Sequence, residues 1–390
     1  MLELLFLLLP IAACYGWYMG NRNALQNRED QANHLSRQYV AGLNLLLSEK
    51  SDKAVDLFID LLQVDSETID THLALGNLFR SRGEVDRAIR IHQNLIARPN
   101  LTIEQRNLSL QQLGKDYMAA GFFDRAEKIY LQLVEDPDHR QFASKQLLAI
   151  YQQTKDWEQA IEISLKLIKN GKAGLKKDVA HFYCELALLA NRNISENLAR
   201  KHLKKALSHD KDCVRASLML AHLDINQGEY KSAIKTLENI LDQDTCFVSE
   251  ALPLIAQCYQ AQSKPAAIKK FLRKCVEKGS GATAELMLAD FILQDENDEA
   301  AQIFLTRCLS KNPTMKGFYK LMELHVAQAE EGSKAKASLN TLKELVAMQL
   351  KVKPHFCCRK CGFATRALHW HCPSCKGWGE IKPIKGLDGE

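Results

Sequence analysis

The residues best suited to chemistry are four cysteines near residue 390, where the sequence ends. They form two Cys-x-x-Cys pairs, Cys358 with Cys361 and Cys372 with Cys375. A two-residue spacer lets a tight turn direct both thiolates of a pair toward one point. Two such turns together supply the four sulfur ligands that Zn²⁺ or iron accepts. We therefore predict a four-cysteine metal site, and the spacing alone does not decide between iron and zinc.

Neighbouring residues leave some choices open at this site. Cys357 directly precedes the first pair and competes with Cys358 for the first ligand position, although only Cys358 has the Cys-x-x-Cys spacing. Disulfides or redox-active pairs are the alternative to a metal, and a reducing compartment would disfavour them. Three nearby histidines are interpreted as ordinary surface or packing residues: His355, His369 and His371.

The segment around the cysteines has few residues with which to build a hydrophobic core. Phe363, Trp370 and Trp378 are the aromatic residues available, and we expect them to form a very small core of its own. A core of that size does not support independent folding. Metal binding would then supply the folding free energy of this domain, predicted to span residues 353–390.

Composition excludes several classes of protein. The chain is 46% hydrophobic and 25% charged, with a net charge of +5. Its basic residues are spread out, so we expect no nucleic-acid interface. The eight cysteines outside the two pairs show no framework spacing, which indicates a reducing compartment. The sequence contains no P-loop, nucleophile elbow, zinc-protease motif or Rossmann glycine motif, so we do not expect an enzyme.

The N-terminal stretch predicts a membrane anchor. Residues 4–19 carry no charge and are close to the length that spans a bilayer as a helix. We predict a transmembrane anchor at residues 1–20 and a juxtamembrane linker at 21–34. Arg22 and Arg28 on the far side from Glu3 place the bulk of the chain in the cytoplasm by the positive-inside rule. The alternatives are a cleaved signal peptide, a lipoprotein modified at Cys14 and a buried core helix.

Between these ends the chain repeats itself. A small residue recurs mostly every 34 residues, as from Ala54 to Ala88, within pairs of amphipathic helices. Glycine or alanine often lies twelve residues earlier, and an aromatic or aliphatic residue often lies four later. Small residues permit close crossing of two helices, and stacked pairs bury a continuous core. The recurring positions are Ala54, Ala88, Ala126, Ala160, Ala199, Ala233, Ala267 and Ala301.

This pattern resembles the tetratricopeptide repeat (TPR). We predict an all-α fold, a TPR α-solenoid of eight to nine repeats over residues 35–348. Such an array has a concave groove that binds peptides or partner helices. Asn77, Arg80 and Lys115 occupy positions that face either this groove or solvent.

Together, the anchor, the repeats and the two cysteine pairs resemble the lipopolysaccharide assembly protein B family (LapB, also called YciM) of Gram-negative bacteria. The resemblance covers the whole chain and is closest at residues 1–20, 284–290 and 358–389. It implies an inner-membrane protein facing the cytoplasm, with a rubredoxin-like C-terminal domain that packs on the TPR array. It also implies one iron ion, with zinc possible, bound by Cys358, Cys361, Cys372 and Cys375.

The same resemblance implies partners. They are the membrane protease FtsH and the deacetylase LpxC, whose turnover an adaptor of this family promotes, along with other inner-membrane lipopolysaccharide regulators. A homodimer remains open. The alternative functions are a scaffold for lipopolysaccharide synthesis and transport components, and a rubredoxin-type electron-transfer protein.

Overall fold

The computed structural model describes residues 15–19, 40–42, 44–45, 53–54, 57 and 69–390. The chain divides into two compact units, Met1–Thr154 and Lys155–Glu390. Residues 15–19 are helical, and the rest of the predicted anchor and the linker at 21–34 lie outside the described residues. Within the described ranges, no helix has both the length and the apolar character needed to cross a bilayer.

Both units are built mainly from helices that follow one another at short intervals. In the first unit, from residue 69 onward, they are α1 (Ile69–Ser81), α2 (Val85–Ile96), α3 (Ile103–Ala119), α4 (Phe123–Val134) and α5 (Pro137–Thr154). In the second unit they are α6 (Trp157–Lys169), α7 (Leu175–Arg192), α8 (Glu196–His209), α9 (Val214–Asn226), α10 (Tyr230–Glu238), α11 (Ile240–Gln243), α12 (Val248–Ala261), α13 (Ile268–Glu277), α14 (Ala282–Asp295), α15 (Asp298–Lys311), α16 (Met315–Gln328) and α17 (Lys334–Val352). Two 3₁₀ turns, Thr245–Phe247 and Pro265–Ala267, precede α12 and α13.

Small residues allow the close helix crossings that the repeat predicts. A Cβ atom added at Gly76 would lie 2.4 Å from the ring of His92 in the next helix. One added at Gly114 would lie 2.7 Å from the ring of Tyr130. Each of these rings comes four residues after the recurring alanine. The glycine therefore leaves room for that larger side chain of the paired helix.

One predicted position of the repeat is wrong. Ala267 is exposed and lies in the 3₁₀ turn that begins at Pro265, before the helix itself starts. The buried stripe of α13 is Ile268, Phe271, Leu272 and Cys275. The shift has a physical cause, because Pro265 sets the first turn and moves the helical phase one residue along. Ile268 therefore occupies the position that alanine holds in the other repeats.

Arg80, predicted to face a groove or solvent, is partly exposed and takes part in a polar network between helices of the first unit. Its Nη1 atom lies 2.7 Å from Oδ1 of Asp116, whose side chain is fully buried. The other carboxylate oxygen of Asp116 contacts Nδ1 of His92. A buried carboxylate needs such partners, because an unpaired charge inside the protein is costly. The role of Arg80 is thus to join neighbouring helices.

After α17 the chain forms a small antiparallel sheet. Strands β1 (Phe356–Cys358), β2 (Ala364–Thr365) and β3 (Ile381–Pro383) lie in the order β2-β1-β3. Phe356 pairs with Thr365 on one side and with Pro383 on the other. We call residues 353–390 the metal domain. Its sheet brings the first and last parts of the domain together around the cysteine turns.

Candidate metal centre

The four predicted cysteines meet at one point. Their sulfur atoms all lie within 4.8 Å of one another. The Sγ atoms of Cys358 and Cys375 are 3.7 Å apart, and so are those of Cys361 and Cys372. A disulfide bond would hold two sulfurs at about 2.05 Å, so these pairs are not disulfides. Four thiolates at about 2.3 Å from a central ion would lie roughly 3.8 Å from one another, which the observed spacing fits.

Backbone hydrogen bonds shape both cysteine turns. The amide of Gly362 donates to the carbonyl of Cys358 at 2.9 Å, and Gly362 has a φ of +77°. Lys376 likewise donates to the carbonyl of Cys372 at 3.0 Å, with a φ of +56°. Each pair therefore sits on a tight turn that ends in a left-handed residue. This local geometry directs the two sulfurs of each turn toward the other turn.

The sulfurs have different electrostatic surroundings. Burial raises the pKa of the Cys358 thiol to about 11. Cys361 is exposed, and the backbone N–H of Phe363 is the largest of the effects that lower its pKa to about 6. A bound divalent cation would hold all four groups as thiolates, because coordination deprotonates a thiol. The donor set therefore fits zinc or iron.

Cys357 and the three histidines lie outside this group. The Cys357 thiol donates to the carbonyl of Gly362 at 3.6 Å, and its sulfur is not among the four that meet. His371 stacks on Trp378 with ring centroids 4.3 Å apart. Its Nε2 atom lies 3.0 Å from the carbonyl oxygen of Lys376. In the described part of the chain, the only group of potential ligands that converges is the four cysteines.

The prediction that Trp378 helps form a core within the metal domain is wrong. Its ring lies 5.8 Å from that of Trp157 in α6 and 5.7 Å from that of Phe182 in α7, both edge to face. It also stacks on His181 at 5.4 Å. Trp378 is only 7% exposed. The metal domain therefore buries the Trp378 ring against the helical repeats.

Trp370 makes the second aromatic contact with the repeats, and its predicted place in a separate core is wrong as well. It stacks on Phe247 of the 3₁₀ turn at 5.3 Å and approaches His181 at 6.1 Å. The core of the metal domain itself consists of buried Phe356, Cys358, Cys372 and Ile381, with Phe363 packed against it.

Charged groups also contribute to the contact between the metal domain and the helical repeats. The Nζ atom of Lys382 lies 2.7 Å from Oδ2 of Asp244. The guanidinium of Arg215 lies 5.9 Å from the ring of Trp378 and pairs with Glu185 at 2.7 Å. Partly buried pairs of this kind resist screening by salt better than exposed ones.

A further contact joins the last residues of the sequence to later repeats. The carboxylate of Glu390 accepts hydrogen bonds from the backbone N–H of Thr283 at 2.9 Å and from its hydroxyl at 2.7 Å. Glu390 also pairs with Lys316. Because Thr283 is in the first turn of α14, the carboxylate satisfies an N–H that the helix itself leaves unpaired. The backbone carbonyl of Leu387 accepts from the N–H of Met315 at 2.8 Å.

Comparison with known protein families identifies both the helical repeats and the metal domain. Models described as "Tetratricopeptide repeat" match residues 71–104 and 197–258. A model described as "Rubredoxin metal binding domain" matches residues 356–383. The predicted all-α TPR array with a C-terminal rubredoxin-like domain is thereby confirmed, while the predicted transmembrane helix falls largely outside the described residues.

Two relatives match over their whole length. "Lipopolysaccharide assembly protein B" of Escherichia coli strain K12 is 52% identical over 389 residues, covering 100% of both chains. The protein of the same name from Haemophilus influenzae strain KW20 / Rd is 44% identical over 398 residues, again covering 100% of both chains. The chain thus belongs to the lipopolysaccharide assembly protein B family.

Proposed function

We propose that this protein is a membrane-tethered cytoplasmic adaptor in the control of lipopolysaccharide synthesis. It brings the deacetylase LpxC to the membrane protease FtsH and so promotes degradation of LpxC. Membership in the lipopolysaccharide assembly protein B family supports the pathway. The TPR architecture supports an adaptor, since such arrays typically bind other proteins rather than carry out catalysis.

The observation that carries the proposal is the packing of the metal domain on the repeats. Trp370 and Trp378 lie among side chains from α6, α7 and the 3₁₀ turn before α12. A redox protein would not need its metal site fixed to a helical array in this way. An adaptor benefits, because a rigid surface loses less entropy when it binds a partner.

The metal has a structural role in this proposal. Cys358, Cys361, Cys372 and Cys375 would hold one ion, for which we propose iron, with zinc able to serve equally. The bound ion would supply folding free energy to a domain whose own core is small. Elemental analysis of protein purified from its native host will identify the ion.

The N-terminal segment would provide the tether. Confined to the inner membrane, the array meets membrane-bound FtsH at a high effective concentration without any extra contact. Fractionation of cells carrying the full chain should recover it with the inner membrane. Recovery from the periplasm would contradict the proposal.

The test of function removes both ligands of the first Cys-x-x-Cys pair. With Cys358→Ser and Cys361→Ser, the metal domain should unfold and the half-life of LpxC in cells should lengthen several-fold. The half-life is measured by immunoblot after translation is blocked. The same variant should have no effect in cells whose FtsH is proteolytically inactive.

Cys357→Ser is the matched control. It removes a thiol from the same strand but leaves the four converging sulfurs in place, so LpxC turnover should stay normal. Normal LpxC turnover in the double variant, with loss of its metal verified, would refute the proposal.

A further inference from the structure

The last helix of the array, α17, presents apolar side chains to solvent. Leu342, Leu345, Met348 and Val352 are 52–67% exposed. With about 3.6 residues per turn, all four lie within about one third of the helix circumference. We call these four residues the α17 stripe. The helix packs on α16, and none of its 19 residues is buried.

An exposed apolar stripe is unexpected at this position. An inner helix such as α13 buries its apolar stripe in the core of the array. The last repeat of a solenoid normally has a polar outer face, because no further repeat covers it. Contiguous apolar surface on a soluble domain usually marks an interaction site. The α17 stripe therefore indicates a surface that a partner covers.

The spacing of the stripe suits another helix as this partner. Leu345 and Val352 are seven residues apart, as are Thr341 and Met348. The four positions alternate at intervals of four, three and four residues. This heptad pattern forms the seam along which two helices pack side by side.

The charges beside the α17 stripe favour a second copy of the same helix. Glu344 and Lys351 are exposed and lie along one edge of the stripe. In the part of the chain that the structure describes, neither side chain forms an ion pair. If two copies of α17 pack antiparallel with Leu345 opposite Met348, Glu344 of each copy lies opposite Lys351 of the other. A parallel pairing would place Glu344 opposite Gln349 and would form neither ion pair.

We propose that the α17 stripe is the interface of a homodimer, in which α17 packs antiparallel on α17 of a second copy. Leu345 and Met348 form the centre of the contact, and two symmetry-related pairs of Glu344 with Lys351 flank it. A single helix pair is a small interface, so the dimer should be weak, with a Kd on the order of 10 μM. The proposal depends on α17 alone and goes beyond the adaptor function, so each can fail without the other.

The test uses two charge reversals that should each weaken the dimer. Glu344→Lys sets lysine against lysine at both pairs and should raise the Kd about tenfold, since it replaces attraction by repulsion at two exposed sites. Lys351→Glu sets carboxylate against carboxylate and should have the same effect. An equimolar mixture of the two single variants should associate as tightly as the unaltered chain, because every facing pair again has opposite charges.

Association is measured by sedimentation velocity on the full chain with its metal bound, in a density-matched detergent. Glu277→Lys is the matched control, because Glu277 is an exposed residue of α13 and its reversal changes the net charge equally. It should leave the dimer intact. Leu345→Asp should give a monomer and change the melting temperature little, because the Leu345 side chain is more than half exposed.

Three results in this assay would overturn the proposal. They are a chain that stays monomeric at about ten times the expected Kd, a dimer that Glu344→Lys weakens no more than Glu277→Lys does, and single variants that fail to associate when mixed. Vesicles of anionic phospholipid test the other occupant of the stripe. A monomeric chain that binds them, and loses this binding with Leu345→Asp, would assign the stripe to the membrane and would also overturn the proposal.

Discussion

The contact between the metal domain and the repeats can be tested with a single methyl group. Gly379 follows Trp378 and has a φ of +66°. A Cβ atom at this position would lie 2.8 Å from Nε2 of His181 in α7. Gly379→Ala therefore adds a backbone cost and a steric cost at once. The steric part exists only if the metal domain packs on α7 as the structure shows.

The two costs can be separated by a matched glycine. Gly362 has a similar φ of +77°, and a Cβ there would meet nothing within 4 Å. Gly362→Ala should cost only the left-handed backbone penalty, about 1–2 kcal/mol. Gly379→Ala should cost about 1–3 kcal/mol more, the usual range for overpacking. For a unit of this size, about 2–4 °C of melting temperature corresponds to each kcal/mol.

The assay is thermal unfolding of the metal-bound chain, followed by tryptophan fluorescence. His181→Ala provides the second leg of a double-mutant cycle, because it removes the ring that the new methyl group would meet. In that background, Gly379→Ala should cost no more than Gly362→Ala. Equal costs for the two glycine variants in the unaltered chain, or no relief by His181→Ala, would refute the packing argument.

Three further predictions concern other contacts. The folded pKa of His181, about 3, is below its unfolded value of about 6.5. Its neutral ring therefore contributes stability above pH 6.5 that is lost as the pH falls toward 3, about 2 kcal/mol by pH 5. Comparing denaturant unfolding of the unaltered chain and His181→Gln at pH 7.5 and 5.0 checks this loss, which the variant should lack. Glu390→Gln should weaken the contact with Lys316 and speed hydrogen exchange at the Thr283 amide about tenfold; unchanged exchange would contradict the capping role. Gly114→Ala should destabilise the chain by about 1–3 kcal/mol in thermal unfolding, because its Cβ would lie 2.7 Å from the Tyr130 ring; a stabilised variant would contradict the close crossing.

The metal centre was predictable because its information is local. Cys358 and Cys361 belong to one turn, as do Cys372 and Cys375, so spacing alone places each pair of sulfurs together. The helical repeats were predictable for a related reason, since each pair contacts chiefly its neighbours and a period in sequence becomes a period in space.

The packing of the tryptophans was not predictable from spacing. Trp378 contacts Trp157 and Phe182, which lie about 200 residues earlier in the chain. No periodicity links positions so far apart. One signal was present, because a domain of this size cannot cover two indole rings with its own residues and must bury them elsewhere.

Ala267 shows a different limit of predicting buried positions from the repeat period. Its place in the 34-residue period matched the neighbouring repeats, yet the helical phase had moved to Ile268. Pro265 was the sequence signal for this shift. The new phase follows from the apolar spacing of Ile268, Phe271, Leu272 and Cys275. The residue that is buried at a helix start is therefore set by local features such as proline, even where the 34-residue period predicts another position.

The hydrogen bonds of Glu390 to Thr283 change how the C-terminal repeats should unfold. An ordinary solenoid frays from its end, because the last repeat touches only the one before it. Here the metal domain spans helices from α6 to α16, touching Trp157 near one end and Lys316 near the other. Opening the helices that make these contacts would also disturb the packing of the metal domain. The helices from α6 to α16 and the metal domain should therefore unfold together in one cooperative step. Folding should be slower, because these contacts join residues far apart in the sequence.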